Sequence, residues 1–267
     1  MKKLLALPLA ALLLLGCIEA GKPKVAVTLY AYGHMAERIG GGRVQVVYLL
    51  PEGSSEHITE PSPSKLFEAQ GSQLLIYNGE IDEWATGVDA RKKLRMYDYA
   101  GGGNPHIWLD PVLMQSLAAK VKEALIEIDP EGEAIYEANA ESYINELKLL
   151  DEYARGRKMP AKAFEMHPGF SRFGERYGIS IIPIERVEGE EVSGSRILEL
   201  VKLAKEESIT IFIVERYRDP SEAQAIAEEM GARLVVLDTL AWVSDDDRRE
   251  GRDYFYIMRS NIDKLSG

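Results

Sequence analysis

The chain has 267 residues, 46% of them apolar and 28% charged, with a net charge of −11, four histidines and a single cysteine. That length accommodates one large or two medium domains, and the acidic balance argues against a nucleic-acid partner, because a negative surface repels a phosphate backbone. One cysteine excludes an internal disulfide and a cysteine-rich zinc site.

The first predicted segment is a leader. Lys2 and Lys3 precede the apolar run Leu4 to Leu15, which ends in Gly16-Cys17. The run is shorter than the roughly 20 residues that a spanning helix needs. A small residue directly before the lone cysteine reads as a lipoprotein cleavage and acylation site, so residues 1–16 form a signal peptide and Cys17 carries the lipid. Acyl chains would tether the chain outside a membrane, each buried CH₂ contributing about 0.8 kcal/mol. The competing reading is an uncleaved N-terminal anchor with an ordinary buried cysteine. No second long apolar segment follows.

Strand-like runs then recur at Val25–Tyr30, Val44–Leu50, Leu74–Tyr77, Ala163–Met166, Ile179–Ile184, Ile211–Val214 and Leu234–Leu237. Several are apolar at consecutive positions, as strands buried on both faces tend to be. Helical patterns lie between them, at Ala31–Ile39, Pro63–Gln70, Pro111–Ile128, Pro168–Tyr177, Ser195–Glu206 and Pro220–Met230. Asp110-Pro111 and Asp219-Pro220 each put an N-cap aspartate before a proline at the first helical position. The middle differs: from Pro130 to Arg155 there is no proline after the first residue, one glycine, and a helical stripe of Ile135, Tyr136, Asn139, Tyr143, Leu147 and Leu150. The alternation predicts an α/β protein of two lobes, each with a mainly parallel sheet flanked by helices, joined by a long rigid helix. The expected boundaries are residues 17–128 for the first lobe, 129–158 for the linker helix and 159–267 for the second lobe. A single domain carrying a surface helix is the plainer alternative.

Three of the four histidines fall at strand-to-helix turns: His57 after the strand ending at Leu50, His106 before Asp110-Pro111, and His167 between a strand and Pro168-Gly169. Asp238 directly follows the strand Leu234–Leu237. Open α/β sheets bind ligands in the crevice at the carboxyl ends of their strands. Three neutral imidazoles and a carboxylate meeting there are a tetrahedral donor set for Zn²⁺. Taken singly, each histidine also fits a helix cap or a surface hydrogen bond, and Asp238 fits a loop cap; the joint placement points to metal.

At these residues the sequence resembles the solute-binding lipoproteins of zinc and manganese ABC importers, the cluster A-I or TroA-like/ZnuA-like family. The most specific match is Asn104-Pro105-His106-Ile107-Trp108-Leu109-Asp110-Pro111, similar to the family pattern PH-x-W-x-DP. Leu50-Pro51-Glu52-Gly53-Ser54-Ser55-Glu56-His57 looks like the first ligand loop, and Met166-His167-Pro168-Gly169-Phe170 like the third. Val214-Glu215 and Leu237-Asp238-Thr239-Leu240 resemble the last two strands, so the likeness covers nearly the whole chain after the leader. It implies metal held between the lobes by His57, His106, His167 and Asp238, with Glu56 and Glu215 as alternative ligands or neighbours of the bound ion. It also implies an ABC permease and its ATPase as partners, an extracytoplasmic location with lipid anchoring to the cell membrane through Cys17, and a monomer. Two features depart from the family: Ile58-Thr59 follow His57, and Trp84–Gly103 is short, without the His-rich loop that several zinc-binding members carry. His34 matches no ligand motif and reads as a structural or rim histidine.

A histidine at the third position favours Zn²⁺ over Mn²⁺, which prefers oxygen-rich sites. Manganese, or mixed zinc and manganese transport, is the main alternative cargo. An extracellular zinc hydrolase is disfavoured because no HExxH helix is present, the only sequence-adjacent candidate bases, Glu165 and Glu56, also read as cleft-edge charges, and Gly101-Gly102-Gly103 lacks the Lys-Ser/Thr of a phosphate loop. An adhesin-like lipoprotein with a structural metal is the remaining rival. The expectation is a binding protein for transport, not an enzyme.

Overall fold

The computed structural model describes residues 21–51, 53, 61–184, 192–218 and 220–267. In chain order the elements are β1 (Lys24–Val27), α1 (Tyr30–Gly40), β2 (Gln45–Tyr48), α2 (Pro63–Ala69), β3 (Ser72–Tyr77), β4 (Ala90–Arg95), α3 (Pro111–Ile128), α4 (Glu133–Arg155), β5 (Lys162–Glu165), α5 (Ser171–Tyr177), β6 (Ser180–Pro183), α6 (Gly194–Glu206), β7 (Ile211–Glu215), α7 (Pro220–Met230), β8 (Arg233–Leu237), α8 (Asp245–Arg249) and α9 (Tyr254–Ser266). Among the described residues no helix is long and apolar enough to cross a membrane.

Two four-stranded sheets form, ordered β2-β1-β3-β4 and β6-β5-β7-β8. All pairs within them are parallel. Each sheet therefore has the same order, with a central strand from which the chain winds first one way and then the other. In the first sheet, β1 and β3 are buried along almost their whole length, as parallel strands covered on both faces must be. The edge strand β4, Ala-Arg-Lys-Lys-Leu-Arg, buries only Leu94, and its lysines guard an exposed edge. This strand has no apolar run, which is why the hydrophobic pattern did not mark it.

The long helix is present as α4, 23 residues from Glu133 to Arg155, or about 35 Å at 1.5 Å per residue. Its buried stripe, Tyr136, Ala140, Tyr143, Leu147, Leu150 and Ala154, repeats at helical spacing and packs into the main core. A short 3-10 turn, Pro130–Gly132, separates it from α3. There Asp129 takes a two-pronged ion pair from Arg43 at 2.8 and 2.9 Å, which ties the junction to the end of α1.

The C-terminal helix α9 carries no strand or proline signal that would have singled it out. Asp253 caps it by accepting the Tyr256 N–H at 3.0 Å. Tyr254, Met258 and Ile262 are fully buried in the core shared with α1, α3 and α4. His34 lies in that junction, between the rings of Tyr30, Tyr143, Tyr254 and Phe255, and is buried. The end of the chain thus returns from the second sheet to pack on helices that follow the first.

Candidate metal site between the lobes

The second sheet delivers its functional groups by strand register. Glu165 pairs with Ile213, and Glu215 with Leu237. His167 lies two residues beyond Glu165, in the bend that follows β5. Glu215 ends β7 and Asp238 immediately follows β8. Four chemically active residues therefore line the carboxyl edge of one sheet, the place where open α/β sheets hold ligands.

The first lobe delivers His106 from a turn just ahead of α3. Asn104 shapes that turn: its Oδ1 accepts the His106 backbone N–H at 2.9 Å and lies 2.9 Å from His106 Nδ1. Because an amide oxygen only accepts, that contact assigns the proton to Nδ1 and makes Nε2 the nitrogen that carries the lone pair. Asn104 Nδ2 also donates across the crevice to Pro168 O, next to His167, at 2.8 Å. One side chain thereby orients both histidine turns. The rings of His106 and His167 meet edge to face with centroids 5.2 Å apart, and His106 packs against Trp108.

Four further side chains hold the lobes in this arrangement. Trp108 Nε1 donates to Thr239 O at 2.6 Å, and Tyr254 donates from its hydroxyl to Trp108 O at 2.9 Å. Arg176 on α5 forms an ion pair with Asp110 at 2.7 Å, while Asp110 also caps α3 through the Val112 and Leu113 N–H groups. Arg172 donates to the carbonyls of Asn104 and Gly102. Gly101, Gly102 and Gly103 all have positive φ, at 72°, 82° and 85°, a run that side chains with a Cβ resist. The triple glycine is therefore a bent loop whose carbonyl faces Arg172.

The electrostatics are carboxylate-rich. A Cβ added to Gly169 would lie 3.6 Å from Glu165 Oε1, 3.7 Å from Glu215 Oε1 and 3.7 Å from His106 Cδ2, so both carboxylates and the imidazole edge converge on that glycine. Glu165 is completely buried, and burial pushes its carboxyl well above the usual range, helped by the nearby Glu215 charge and opposed by the Phe170 and Gly169 N–H groups. The Phe170 N–H reaches both Glu165 oxygens, at 2.9 and 3.2 Å. Burial also raises the Asp238 carboxyl, against the Leu240 N–H and Arg216. Asp238 is 3% exposed; its Oδ1 accepts from Leu240 N at 2.8 Å and its Oδ2 from Arg216 at 3.1 Å. Its backbone is fixed by Asn261 of α9, which accepts from Asp238 N at 3.0 Å and donates to Asp238 O at 2.8 Å.

Of the residues singled out by sequence, the structure brings His106, His167 and Glu215 to one crevice and puts Asp238 on the same sheet edge in an ion pair. His57, Glu56 and Cys17 lie outside the described residues. Among the described residues, no three of His, Cys, Asp and Glu form a ready-made ligand group. Beside the sheet edge of the first lobe a cavity of about 330 Å³ is lined by Tyr30, Tyr48, Leu50, Pro51, Trp242 and Arg248. Sequence reading gave no role to Asn104 or Arg216, and weighed Glu165 only as a base for a hydrolase or a charge at the cleft edge. Asn104 stood two residues before a singled-out histidine, and Glu165 two residues before another, so spacing alone carried a signal for both. Arg216 carried none.

The family model for the periplasmic zinc-uptake complex component A, ZnuA, matches residues 25–267. The high-affinity zinc uptake system protein ZnuA of Bacillus subtilis (strain 168) is 27% identical, over 92% of this chain and 88% of its own length. The zinc-binding lipoprotein AdcA of Streptococcus pneumoniae is 26% identical over 99% of this chain, which spans 60% of AdcA. Among solved structures, the Zn(II)-bound ZnuA-like domain of Streptococcus pneumoniae AdcA superposes with a TM-score of 0.79 at 25% identity, covering 92% of this chain and 98% of that domain. The metal-dependent lipoprotein YcdH from Bacillus subtilis gives 0.77 at 27% identity, with 92% and 98% covered. With a match across both sheets and the long helix between them, the chain belongs to the ZnuA family of periplasmic zinc-uptake components.

Proposed function

We propose that this protein captures Zn²⁺ outside the cytoplasm, in the crevice between its lobes, and hands it to an ABC-type permease. The carrying observation is the meeting of His106 and His167 across the crevice, with ring centroids 5.2 Å apart, one from each lobe. Nitrogen-rich donors suit Zn²⁺ better than Mn²⁺, and the relatives reported above carry zinc in their names. The ligand set we assign is His57, His106, His167 and Asp238, with Glu215 and Glu56 as neighbouring carboxylates that attract the cation. Members of this family are solute-binding components of uptake systems and not enzymes, and nothing in the assigned roles requires a reacting substrate.

Asn104 orients His106 and leaves Nε2 for the ion. Glu215 supplies negative potential behind the imidazoles, which strengthens attraction for a divalent cation at the crevice. The ties through Trp108, Tyr254 and Arg176 hold the lobes in register, so capture asks for small local adjustment and not wide closure. Lipidation of Cys17 would keep the loaded protein at the membrane that houses the permease, and a single chain would suffice for the task.

The test is zinc affinity, measured by competition with a chromogenic chelator, in the parent and in His106→Ala. The variant should lose most of the binding while its unfolding profile without metal stays close to the parent's. Equal affinity in the two would overturn the site assignment.

A further inference from the structure

Parallel pairing of β7 and β8 puts the residue after Glu215 beside the residue after Leu237, so Arg216 stands next to Asp238. The Arg216 backbone N–H is held by Leu237 O at 2.7 Å, and its guanidinium lies against the Tyr217 ring at 5.1 Å. The fork divides between two buried carboxylates. Nη1 is 3.1 Å from Asp238 Oδ2 and Nη2 is 3.1 Å from Asp247 Oδ2. Asp247 is 2% exposed and is itself secured by Ser244 at 2.8 Å and by Arg252 at 2.7 Å. With Leu240 N on Oδ1, both oxygens of Asp238 are engaged.

We propose that Arg216 is a specificity determinant of the crevice: it competes with the cargo ion for Asp238, so that only a cation already held firmly by imidazole nitrogen displaces it. The inference rests on the assignment of Asp238 as a ligand. The physical basis is that an ionised carboxylate buried without a counter-charge is costly, so Asp238 is best served by a cation beside it, either guanidinium or metal. Asp247 gives Arg216 a second seat, so the guanidinium can release Asp238 without becoming an unpaired charge. The competition falls unequally on different metals. Zn²⁺ binds nitrogen donors more tightly than Mn²⁺ does, and Mn²⁺ depends more on oxygen. Holding back the carboxylate therefore costs Mn²⁺ more of its affinity than it costs Zn²⁺.

The experiment measures Zn²⁺ and Mn²⁺ affinities by chelator competition for the parent, Arg216→Gln, Asp238→Asn and the double variant, with thermal unfolding of each without metal as the folding control. Arg216→Gln should tighten Mn²⁺ by roughly tenfold, the scale of losing one charge-assisted competitor, and Zn²⁺ by less, so the zinc preference narrows. In the Asp238→Asn background the same change should have no effect. Arg216→Lys, which keeps the charge and loses the fork, should shift the preference in the same direction by less, and it serves if the glutamine variant fails to fold. If Asp238→Asn weakens binding while both Arg216 variants leave the preference unchanged, the competition is wrong and the ligand assignment stands. If Asp238→Asn changes neither metal, Asp238 is not a ligand, and the inference falls together with that part of the site.

Discussion

Strand order β2-β1-β3-β4 in the first lobe is repeated as β6-β5-β7-β8 in the second, yet the two sheets serve the crevice in different ways. The second lobe sends Glu215 and Asp238 from the ends of two paired strands, aligned by register, and His167 from the bend after β5. Among the described residues it also supplies most of the charge: Glu215, Asp238, Arg216 and Asp247 all gather there. The first lobe sends His106 from a turn before α3, and a neutral side chain, Asn104, sets its direction. One lobe thus contributes electrostatics and the other contributes orientation. The same topology supports both because ligands sit on connections, which vary freely, while the sheet only fixes where the connections begin.

That division is open to attack from both sides. The largest effect should come from the orienting side. Asn104→Ala removes the partner of His106 Nδ1 and the tie to Pro168, and zinc affinity should drop about tenfold to a hundredfold, the usual cost of losing such a partner. A chelator titration measures it, and an unchanged affinity would mean that the His106 turn is held by its other contacts. Next in size is the junction between the lobes. Asp110→Ala removes the cap of α3 and strands Arg176; a lost cap costs about 1–2 kcal/mol. The half-exposed Arg176 adds little, because water screens it. The melting temperature should fall by roughly 2–8 °C, at about 2–4 °C per kcal/mol for a chain of this size, and calorimetry reads this directly.

The smallest effect should come from the charged side. The Glu165 carboxyl is raised above its unfolded value by burial and by Glu215. The folded state therefore binds its proton more tightly than the unfolded state does, and this group lowers stability as pH rises above the unfolded value of about 4.3. Glu165→Gln removes that penalty. Without metal it should raise the melting temperature by roughly 2–4 °C at pH 7.5 and leave it nearly unchanged at pH 4. Equal shifts at both pH values would show that Glu165 acts through its hydrogen bond to Phe170 and not through charge.

What a reader of the sequence sees and misses follows the same line. The strand and helix alternation was legible because buried parallel strands are apolar runs and helices announce themselves with caps such as Asp110-Pro111. The element bounds moved by a few residues: the strand expected over Val25–Tyr30 is Lys24–Val27, because Leu29 already caps α1. The edge strand β4 was not legible, since Arg91, Lys92 and Lys93 are charged on both faces of the strand and hide its apolar period. Helix α9 was not legible as a partner of α1 and α4, although its apolar face is plain once the fold is known.

The residues that reach the crevice were determined by local sequence: His106 and His167 flank turns, and Glu215 and Asp238 end strands, because a strand end is where a side chain can leave the core for solvent. The partners of those residues were decided only by tertiary structure. Asn104 meets Pro168, Trp108 meets Thr239, Asn261 meets the backbone of Asp238, and Arg216 meets both Asp238 and Asp247. Most of these contacts join residues far apart in the chain, which no local period or cap encodes. They exist because parallel pairing and the return of α9 bring separate strand ends and turns within hydrogen-bond reach.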